Sequence, residues 1–83
     1  MFTASPAAAV DINCVSFKSS IYYETKCKSW DPTAMYNAWI ECTDGEYLSG
    51  QLRTVGFANS YGGVSGISCL TPYRIVRAGT NRY

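Results

Sequence analysis

Few side chains in this sequence could carry covalent or acid–base chemistry. The chain contains no histidine, so the Ser–His and Cys–His arrangements that activate nucleophiles are absent. A hairpin described below would bring Glu24 and Glu41 face to face, and glycoside cleavage needs two acids about 5–10 Å apart in a cleft. Two acids on a solvated strand face are more simply surface charges. The sequence therefore predicts a protein that is not an enzyme and has no catalytic residue.

Four cysteines are the other reactive side chains: Cys14, Cys27, Cys42 and Cys69. No C-x-x-C spacing occurs, and without histidine a zinc site would need four scattered thiolates. An even cysteine count in a chain of 83 residues is typical of an oxidising compartment, where cysteines pair as disulfides. We therefore expect two disulfides, a secreted, extracellular location, no metal ion and no cofactor.

The length of 83 residues allows one domain. Such a domain buries only about 60–65% of the surface that its unfolded chain exposes, and two disulfides of about 2–4 kcal/mol each would support it. We assign residues 10–83 to a single β domain. Residues 1–9 contain the run Ala7 to Ala9 and are interpreted as a flexible N-terminal arm or as a signal or propeptide remnant. This segment has no apolar run long enough for a membrane span.

The segment from Ser20 to Gly45 organises the predicted fold. Its two arms, Ile21 to Trp30 and Met35 to Thr43, alternate in polarity with a period of two, as expected of strands with one solvated face. Asp31-Pro32-Thr33-Ala34 between the arms favours a turn, although Asp-Pro can also begin a short helix over residues 31–38. We favour the hairpin, in which Trp30 faces Met35 and Cys27 faces Ala38.

Four further strands are predicted from the remaining apolar runs. They are Val10–Phe17, Tyr47–Phe57 with a bend between Leu52 and Val55, Val64–Leu70 and Tyr73–Ala78, followed by a tail over residues 79–83. Asp44-Gly45 is a type I′ turn signal. Six short strands without a convincing helix predict an all-β fold, a small six-stranded antiparallel β-sandwich or barrel stapled by two disulfides.

The four cysteines can pair in three ways. In a tight hairpin Cys27 and Cys42 are offset by roughly 13 Å, whereas a disulfide needs Cα atoms within about 7 Å. Two pairings stay open: Cys14–Cys27 with Cys42–Cys69, or Cys14–Cys42 with Cys27–Cys69. If Ser19-Ser20 forms the first turn, Cys14 stands diagonal to Cys27 on the same face.

Twelve aromatic side chains divide between core and surface. Those on inward strand faces, and so expected in the core, are Tyr23, Tyr36 and Tyr73. Tyr22 and Trp39 lie on the outward face, where rings beside polar groups are typical of interface hot spots. Burial is an equal alternative for Trp39 and is favoured for Trp30 at the hairpin tip. The loop from Ala58 to Gly63 places Tyr61 on a mobile tip, where binding residues often lie.

Charge is unevenly distributed along the chain. Residues 1–46 hold all six acids and a net charge of −3, while residues 47–83 hold four arginines and no acid. This pattern favours mutual neutralisation of neighbouring strands over a basic face for an anionic partner. A nucleic-acid groove could be formed by Arg53, Arg74, Arg77, Tyr47, Phe57 and Tyr73, but the isoelectric point near 7.6 makes nucleic acid an unfavoured partner. The candidate binding residues are Tyr22, Trp30, Trp39, Tyr61, Arg74 and Arg77.

The length, the strand count, Asn13-Cys14-Val15 at the start of the folded part and Cys69 in the fifth strand resemble the MAX effectors, small secreted proteins of plant-pathogenic fungi. The resemblance covers residues 10–78 in architecture, without a shared sequence motif. It implies a β-sandwich of two three-stranded sheets, a Cys14–Cys69 disulfide, and a role in virulence through host-protein binding instead of catalysis.

The sequence thus predicts a small, cysteine-rich, secreted protein that binds a host or target protein, as an effector, toxin or inhibitor does. The alternative is a lectin-like module that binds cell-wall carbohydrate through Trp30, Trp39 and Tyr22, because flat aromatic faces suit sugar rings.

Overall fold

The computed structural model describes residues 12–83, which contain eight β-strands and no helix. The strands are β1 (Ile12–Lys18), β2 (Tyr22–Ser29), β3 (Met35–Cys42), β4 (Tyr47–Ser49), β5 (Arg53–Thr54), β6 (Gly56–Phe57), β7 (Ser65–Ser68) and β8 (Ile75–Arg82). They form two sheets, the β2 sheet (β1, β2, β6 and β7) and the β3 sheet (β3, β4, β5 and β8). The prediction of an all-β, mainly antiparallel fold stapled by two disulfides is confirmed.

Each sheet is three strands wide, because two short strands share one edge of its central strand. β1 runs antiparallel along one edge of β2, from the Ile12–Ser29 pair to the Lys18–Tyr23 pair. On the other edge, β7 pairs with the first half of β2, and β6 pairs in parallel with its end. In the β3 sheet, β8 follows one edge of β3, while β4 and β5 divide the other edge.

The predicted hairpin over residues 21–43 is wrong, because β2 and β3 belong to different sheets. The turn itself forms: the Ala34 N–H donates to the Asp31 carbonyl at 3.2 Å. The chain uses this turn to cross from one sheet to the other. The predicted facing pairs Trp30–Met35 and Cys27–Ala38 do not form, since Met35 pairs with Thr54, Cys27 with Cys14 and Ala38 with Thr80. The alternative helix over residues 31–38 does not form either. Both arms are central strands whose backbone groups find other partners.

The hairpin between β3 and β4 forms with a longer loop than the predicted type I′ turn. The Gly45 N–H donates to the Cys42 carbonyl at 2.9 Å, and the Cys42 N–H donates to the Glu46 carbonyl at 2.9 Å. Gly45 has a φ of +87° and Asp44 does not have a positive φ, as in a type I turn followed by a left-handed glycine. This three-residue loop pairs Glu41 with Tyr47. Tyr47 therefore lies on the same face as Trp39.

The inner faces of the two sheets pack around two small apolar clusters. One contains Ile40 with the Cys42–Cys69 disulfide, and the other contains Tyr36 with Cys27. Tyr23 and Tyr36 are buried as predicted, but the prediction for Tyr73 is wrong because its side chain is 39% exposed. Tyr73 precedes β8 and lies in the turn after β7, where its N–H donates to the Leu70 carbonyl at 2.8 Å.

Several predicted strand limits change. The predicted strand 47–57 divides into β4, β5 and β6, in the region where a bend was expected, and the predicted strand 64–70 shortens to β7. The predicted tail over 79–83 is wrong, because β8 pairs with β3 as far as Arg82. The first strand is described from Ile12. The predicted arm over residues 1–9 lies outside the described residues.

The disulfides are Cys14–Cys27 and Cys42–Cys69, one of the two pairings that the sequence left open. The loop from Ser19 to Tyr22 pairs Lys18 with Tyr23, which is two residues away from the register of a Ser19-Ser20 turn. Cys14 therefore faces Cys27 directly, with Cα atoms 4.0 Å apart. The Cys14–Cys69 pairing implied by the resemblance is wrong. Cys27 and Cys42 are not bonded to each other, as predicted. The offset predicted between them, however, assumed the hairpin that does not form.

Ser65 joins the two sheets at the gap between β4 and β5. Its side chain is completely buried. Its hydroxyl accepts a hydrogen bond from the Ala38 N–H at 2.9 Å and donates to the Gln51 carbonyl at 2.7 Å. A Cβ at Gly50 would lie 2.7 Å from this hydroxyl oxygen, so glycine allows the chain to pass close by. The interrupted edge of β3 is thus completed by a residue of the opposite sheet.

Candidate functional site

The two carboxylates considered for catalysis lie in different sheets, so the predicted Glu24–Glu41 facing pair is wrong. Glu24 accepts a hydrogen bond from the Tyr22 hydroxyl at 2.8 Å, and Glu41 forms an ion pair with Arg77. Among residues 12–83 there is no cluster of three or more side chains suited to holding a metal ion. The features that suggest function are aromatic and charged groups on the surface.

We name a surface cluster at β2 the aromatic–lysine patch: Lys26, Lys28 and Tyr61 on the outer face of the strand, and Trp30 with Phe57 just past its end. Lys26 and Lys28 alternate with the buried Thr25, Cys27 and Ser29, so both lysines point away from the core. Their ammonium groups lie 5.5 Å and 4.9 Å from the centroid of the Tyr61 ring. Both distances are within the range of a cation–π contact. One ring thus holds two positive charges on the same face.

The Tyr61 loop is anchored, contrary to the prediction of a mobile tip. The Gly62 N–H donates to the Cys27 carbonyl at 2.9 Å, and the buried Tyr36 hydroxyl donates to the Gly63 carbonyl. A Cβ at Gly62 would overlap the Thr54 carbonyl oxygen. Glycine is therefore needed here for close backbone approach and not for flexibility.

Burial also affects the chemistry of the anchor. It raises the pKa of the Tyr36 hydroxyl above the ordinary value of 10.0, so the anchoring donor keeps its proton at neutral pH. Tyr61 is consequently positioned over the lysines before any partner arrives.

Trp30 and Phe57 extend the patch beyond Lys28. Their rings meet edge to face, with centroids 5.7 Å apart. The prediction that Trp30 is buried is wrong, because its side chain is 65% exposed. Phe57 is 56% exposed. Trp30 lies outside the two sheets because the chain leaves β2 at Ser29 to cross to β3. Two large neighbouring rings that remain in solvent are typical of an interaction surface.

Tyr22 lies on the same outer face as the lysines, but it makes contacts within the sheet. Its ring covers Gly66 of β7, where an added Cβ would collide with the phenol. Its hydroxyl donates to Glu24, and this hydrogen bond to a carboxylate raises the pKa of Tyr22. Tyr22 therefore shields the glycine of the neighbouring strand and is half-buried.

The outer face of the β3 sheet carries a second cluster, the Trp39 face: Asn37, Trp39, Glu41, Tyr47 and Arg77. Trp39 and Tyr47 stack with centroids 5.1 Å apart and an angle of 7° between the rings. The indole also lies against Gly79 of β8, where a Cβ would come within 2.7 Å of the ring. Trp39 is consequently half-buried, while Tyr47 is 57% exposed. Tyr47 is the more accessible ring of this pair.

Polar groups border the stacked pair on both sides. Arg77 donates two hydrogen bonds to Glu41 across the β3–β8 pair. Asn37 is almost completely buried at the opposite end, where its amide N–H donates weakly to the Gly50 carbonyl at 3.4 Å. Its side-chain oxygen has no hydrogen-bond partner within the described protein. The ion pair is one case of the expected neutralisation of acidic strands by basic ones.

Arg74 stands apart from both clusters. It borders an open depression of about 340 Å³ between the β1–β2 turn and the loop before β8, together with Ser20, Ile21, Thr71, Pro72 and Tyr73. The Thr43 N–H donates to the Arg74 carbonyl at 2.9 Å, and the Arg74 N–H donates to the Thr43 hydroxyl at 3.2 Å, so this loop is tied to the β3–β4 hairpin. The depression is open to solvent and has no acidic residue in its lining.

The structure therefore divides the six predicted binding residues among separate surfaces. Tyr22 and Tyr61 share the outer face of the β2 sheet, with Trp30 at its end, while Trp39 and Arg77 share the opposite face of the molecule. The six residues considered for a nucleic-acid groove are also dispersed. Arg77 and Tyr47 lie on the Trp39 face, whereas Tyr73 and Arg74 border the depression. Phe57 packs on Trp30, and the Arg53 side chain donates to the Val64 carbonyl.

Sequence reasoning missed Lys26 and Lys28 as site residues and considered Phe57 only for a nucleic-acid groove. The alternation along β2 already placed both lysines on the solvated face, so that signal was available. The approach of Tyr61 depends on contacts between distant segments and had no local signal.

Comparison of the chain with protein families, curated proteins and solved structures found no match. The resemblance to MAX effectors therefore stays a prediction. No helix that could cross a membrane occurs among residues 12–83.

Proposed function

We propose that this chain is a secreted, non-enzymatic binding protein that engages another protein through the aromatic–lysine patch. The observation that carries the proposal is the exposure of the Trp30–Phe57 pair just past the end of β2, the strand whose lysines lie over the ring of the anchored Tyr61. Exposed aromatic anchors surrounded by polar groups are the commonest hot spots of protein interfaces. An anchored ring also loses little conformational entropy on binding.

Two disulfides support the secreted location, because such bonds persist in oxidising environments. Non-enzymatic effectors, toxins and inhibitors act by this kind of recognition, and the MAX-type role is the specific form that the sequence suggests. In each case the protein supplies a stable surface and no reacting group.

The proposal is tested by capture of partners on the immobilised chain, with variants matched by residue type on opposite faces. Trp30→Ala and Tyr61→Ala should abolish capture of a specific protein, while Trp39→Ala and Tyr47→Ala should retain it. Circular dichroism checks that each variant folds, which is expected for Trp30 and Tyr47 because both side chains are largely exposed. Capture that is equal for all four variants would contradict the assignment of the patch.

A second candidate function, binding of cell-wall carbohydrate, is supported by the Trp39 face. A stacked Trp39–Tyr47 pair bordered by an amide, a carboxylate and a guanidinium offers both a flat ring and hydrogen-bonding groups to a sugar. Retention on chitin, glucan, cellulose or peptidoglycan that is lost in Tyr47→Ala and kept in Trp30→Ala would favour this function. No retention on any of these polymers would leave protein recognition as the working assignment.

A further inference from the structure

The two lysines of the aromatic–lysine patch have no acidic partner in the described part of the chain. The ion pair found within residues 12–83 joins Arg77 to Glu41 on the opposite face. Glu24, which shares the outer face of β2, accepts its hydrogen bond from Tyr22 at 2.8 Å. Asp31, just beyond Trp30, accepts from the Thr33 hydroxyl at 2.6 Å, and the hydrogen bonds from Thr33 lower its pKa. Among residues 12–83, Glu24 and Asp31 thus accept hydrogen bonds from neutral donors and form no ion pair with either lysine.

The strand opposite the lysines brings no charge to them. β1 places Val15 beside Lys26 and Asn13 beside Lys28. Tyr61 covers the same positions from the other side with a neutral ring. The outer face of β2 therefore carries two lysines against the single Glu24 carboxylate and so has an excess of positive charge, whereas Arg77 and Glu41 pair one to one on the Trp39 face.

The spacing of the lysines indicates what would complement them. They are separated by two residues along one strand, so their Cα atoms lie about 7 Å apart. Carboxylates at alternate positions of an extended chain have the same spacing. Trp30 follows Lys28 by two residues, just past the end of β2, and its edge-to-face contact with the exposed Phe57 offers an apolar surface there.

We propose that the aromatic–lysine patch binds an acidic segment of the partner protein in extended conformation. Carboxylates at alternate positions meet Lys26 and Lys28, and an apolar residue that follows them packs on Trp30 and Phe57. This inference rests on the proposed function and adds the chemistry of the partner. Two like charges held over one ring favour an acidic partner and disfavour a basic one through charge complementarity.

The test uses a fluorescein-labelled peptide of four Glu-Thr repeats followed by Phe, with fluorescence anisotropy as the readout. A matched peptide carries Gln in place of each Glu. The wild-type chain should bind the Glu peptide at least tenfold more tightly than the Gln peptide. Binding should weaken when NaCl is raised from about 20 to about 200 mM, because exposed charge pairs are screened.

A pair of double variants with equal change in net charge identifies the site. Lys26→Gln with Lys28→Gln should weaken binding of the Glu peptide by about tenfold, which corresponds to about 1.4 kcal/mol. Lys18→Gln with Arg82→Gln removes two positive charges elsewhere and should change the affinity less than twofold. Equal weakening by both double variants, or no preference for the Glu peptide, would overturn the inference.

Two further results separate this inference from its alternatives. Tighter binding of oligothymidine than of the Glu peptide, dependent on the same two lysines, would overturn it in favour of single-stranded nucleic acid. A captured protein that is lost in Trp30→Ala but retained by the Lys26→Gln, Lys28→Gln variant would overturn the acidic segment and leave the proposed function intact. Loss of that protein in both would support both.

Discussion

Gly62 and Gly63 offer a direct test of how the Tyr61 loop is held, because adjacent glycines meet different surroundings. A Cβ at Gly62 would lie 2.9 Å from both the Gly56 nitrogen and the Tyr36 hydroxyl oxygen, and it would overlap the Thr54 carbonyl oxygen. A Cβ at Gly63 would lie 3.4 Å from the Arg53 side chain, which is an ordinary contact with a flexible group. Alanine should therefore be tolerated at Gly63 and not at Gly62.

The expected cost at Gly62 follows from these contacts. Overpacking against backbone atoms costs about 1–3 kcal/mol. The displaced loop would also weaken the hydrogen bonds to the Cys27 and Gly63 carbonyls, at about 0.5–1.5 kcal/mol each. Both substitutions restrict the unfolded chain by a similar amount, about 0.4–1 kcal/mol, so this effect cancels between them. Gly62→Ala should thus be about 2–6 kcal/mol less stable than Gly63→Ala.

The assay is chemical denaturation of both variants and the wild type with the disulfides intact, followed by circular dichroism. Gly63→Ala should unfold within about 1 kcal/mol of the wild type, with an unchanged denaturant slope. Gly62→Ala should also lose partner or acidic-peptide binding, since Tyr61 no longer covers the lysines. Equal stability of the two variants would refute the conclusion that Gly62 is required for close approach.

Two further predictions concern buried polar groups. Ser65→Ala should destabilise the protein by about 2–4 kcal/mol in denaturant titration, because it leaves the Ala38 N–H and the Gln51 carbonyl without their partner. The control is Ser68→Ala, an exposed change on the same strand, which should stay within about 0.5 kcal/mol of the wild type. Similar values for both serines would count against the sheet-joining role of Ser65. The raised pKa of Tyr36 means that the native state holds this proton more tightly than the unfolded chain, so stability is intact below pH 10 and declines as the pH rises through the raised value. Tyr36→Phe should show a smaller decline over that range in urea midpoints measured against pH, and an unchanged decline would place its origin elsewhere.

The division of the chain into strands and the outward direction of Lys26 and Lys28 could be predicted from the sequence. Alternation of polar and apolar residues is a local property, and it assigns each side chain to a face as soon as the segment is a strand. The absence of histidine and the cysteine count likewise constrain the chemistry without any knowledge of the fold.

Partner choice between strands could not be predicted in the same way. β2 and β3 are neighbours in sequence and carry the pattern of a hairpin, yet the turn at Asp31 takes them into separate sheets. A local turn signal specifies that the chain changes direction but not which strands then bond, because the competing partners lie far away in sequence. The same limit led to the wrong facing of Glu24 with Glu41 and to the wrong tail after Ala78.

Small differences in loop length decided the composition of the Trp39 face and the alignment of one disulfide. One extra residue in the β3–β4 loop places Tyr47 beside Trp39 instead of on the inner face, since a shift of one position moves a side chain to the other side of the sheet. A register shift of two residues in the β1–β2 loop places Cys14 directly opposite Cys27. The sequence alone determined an all-β chain with two disulfides and a solvated pair of lysines. Only the tertiary structure decided which aromatic rings accompany them. Close packing at Gly62 brings Tyr61 to β2, and the parallel β6 pairing brings Phe57 to Trp30. Trp30 stays exposed because the chain crosses to the other sheet at Asp31.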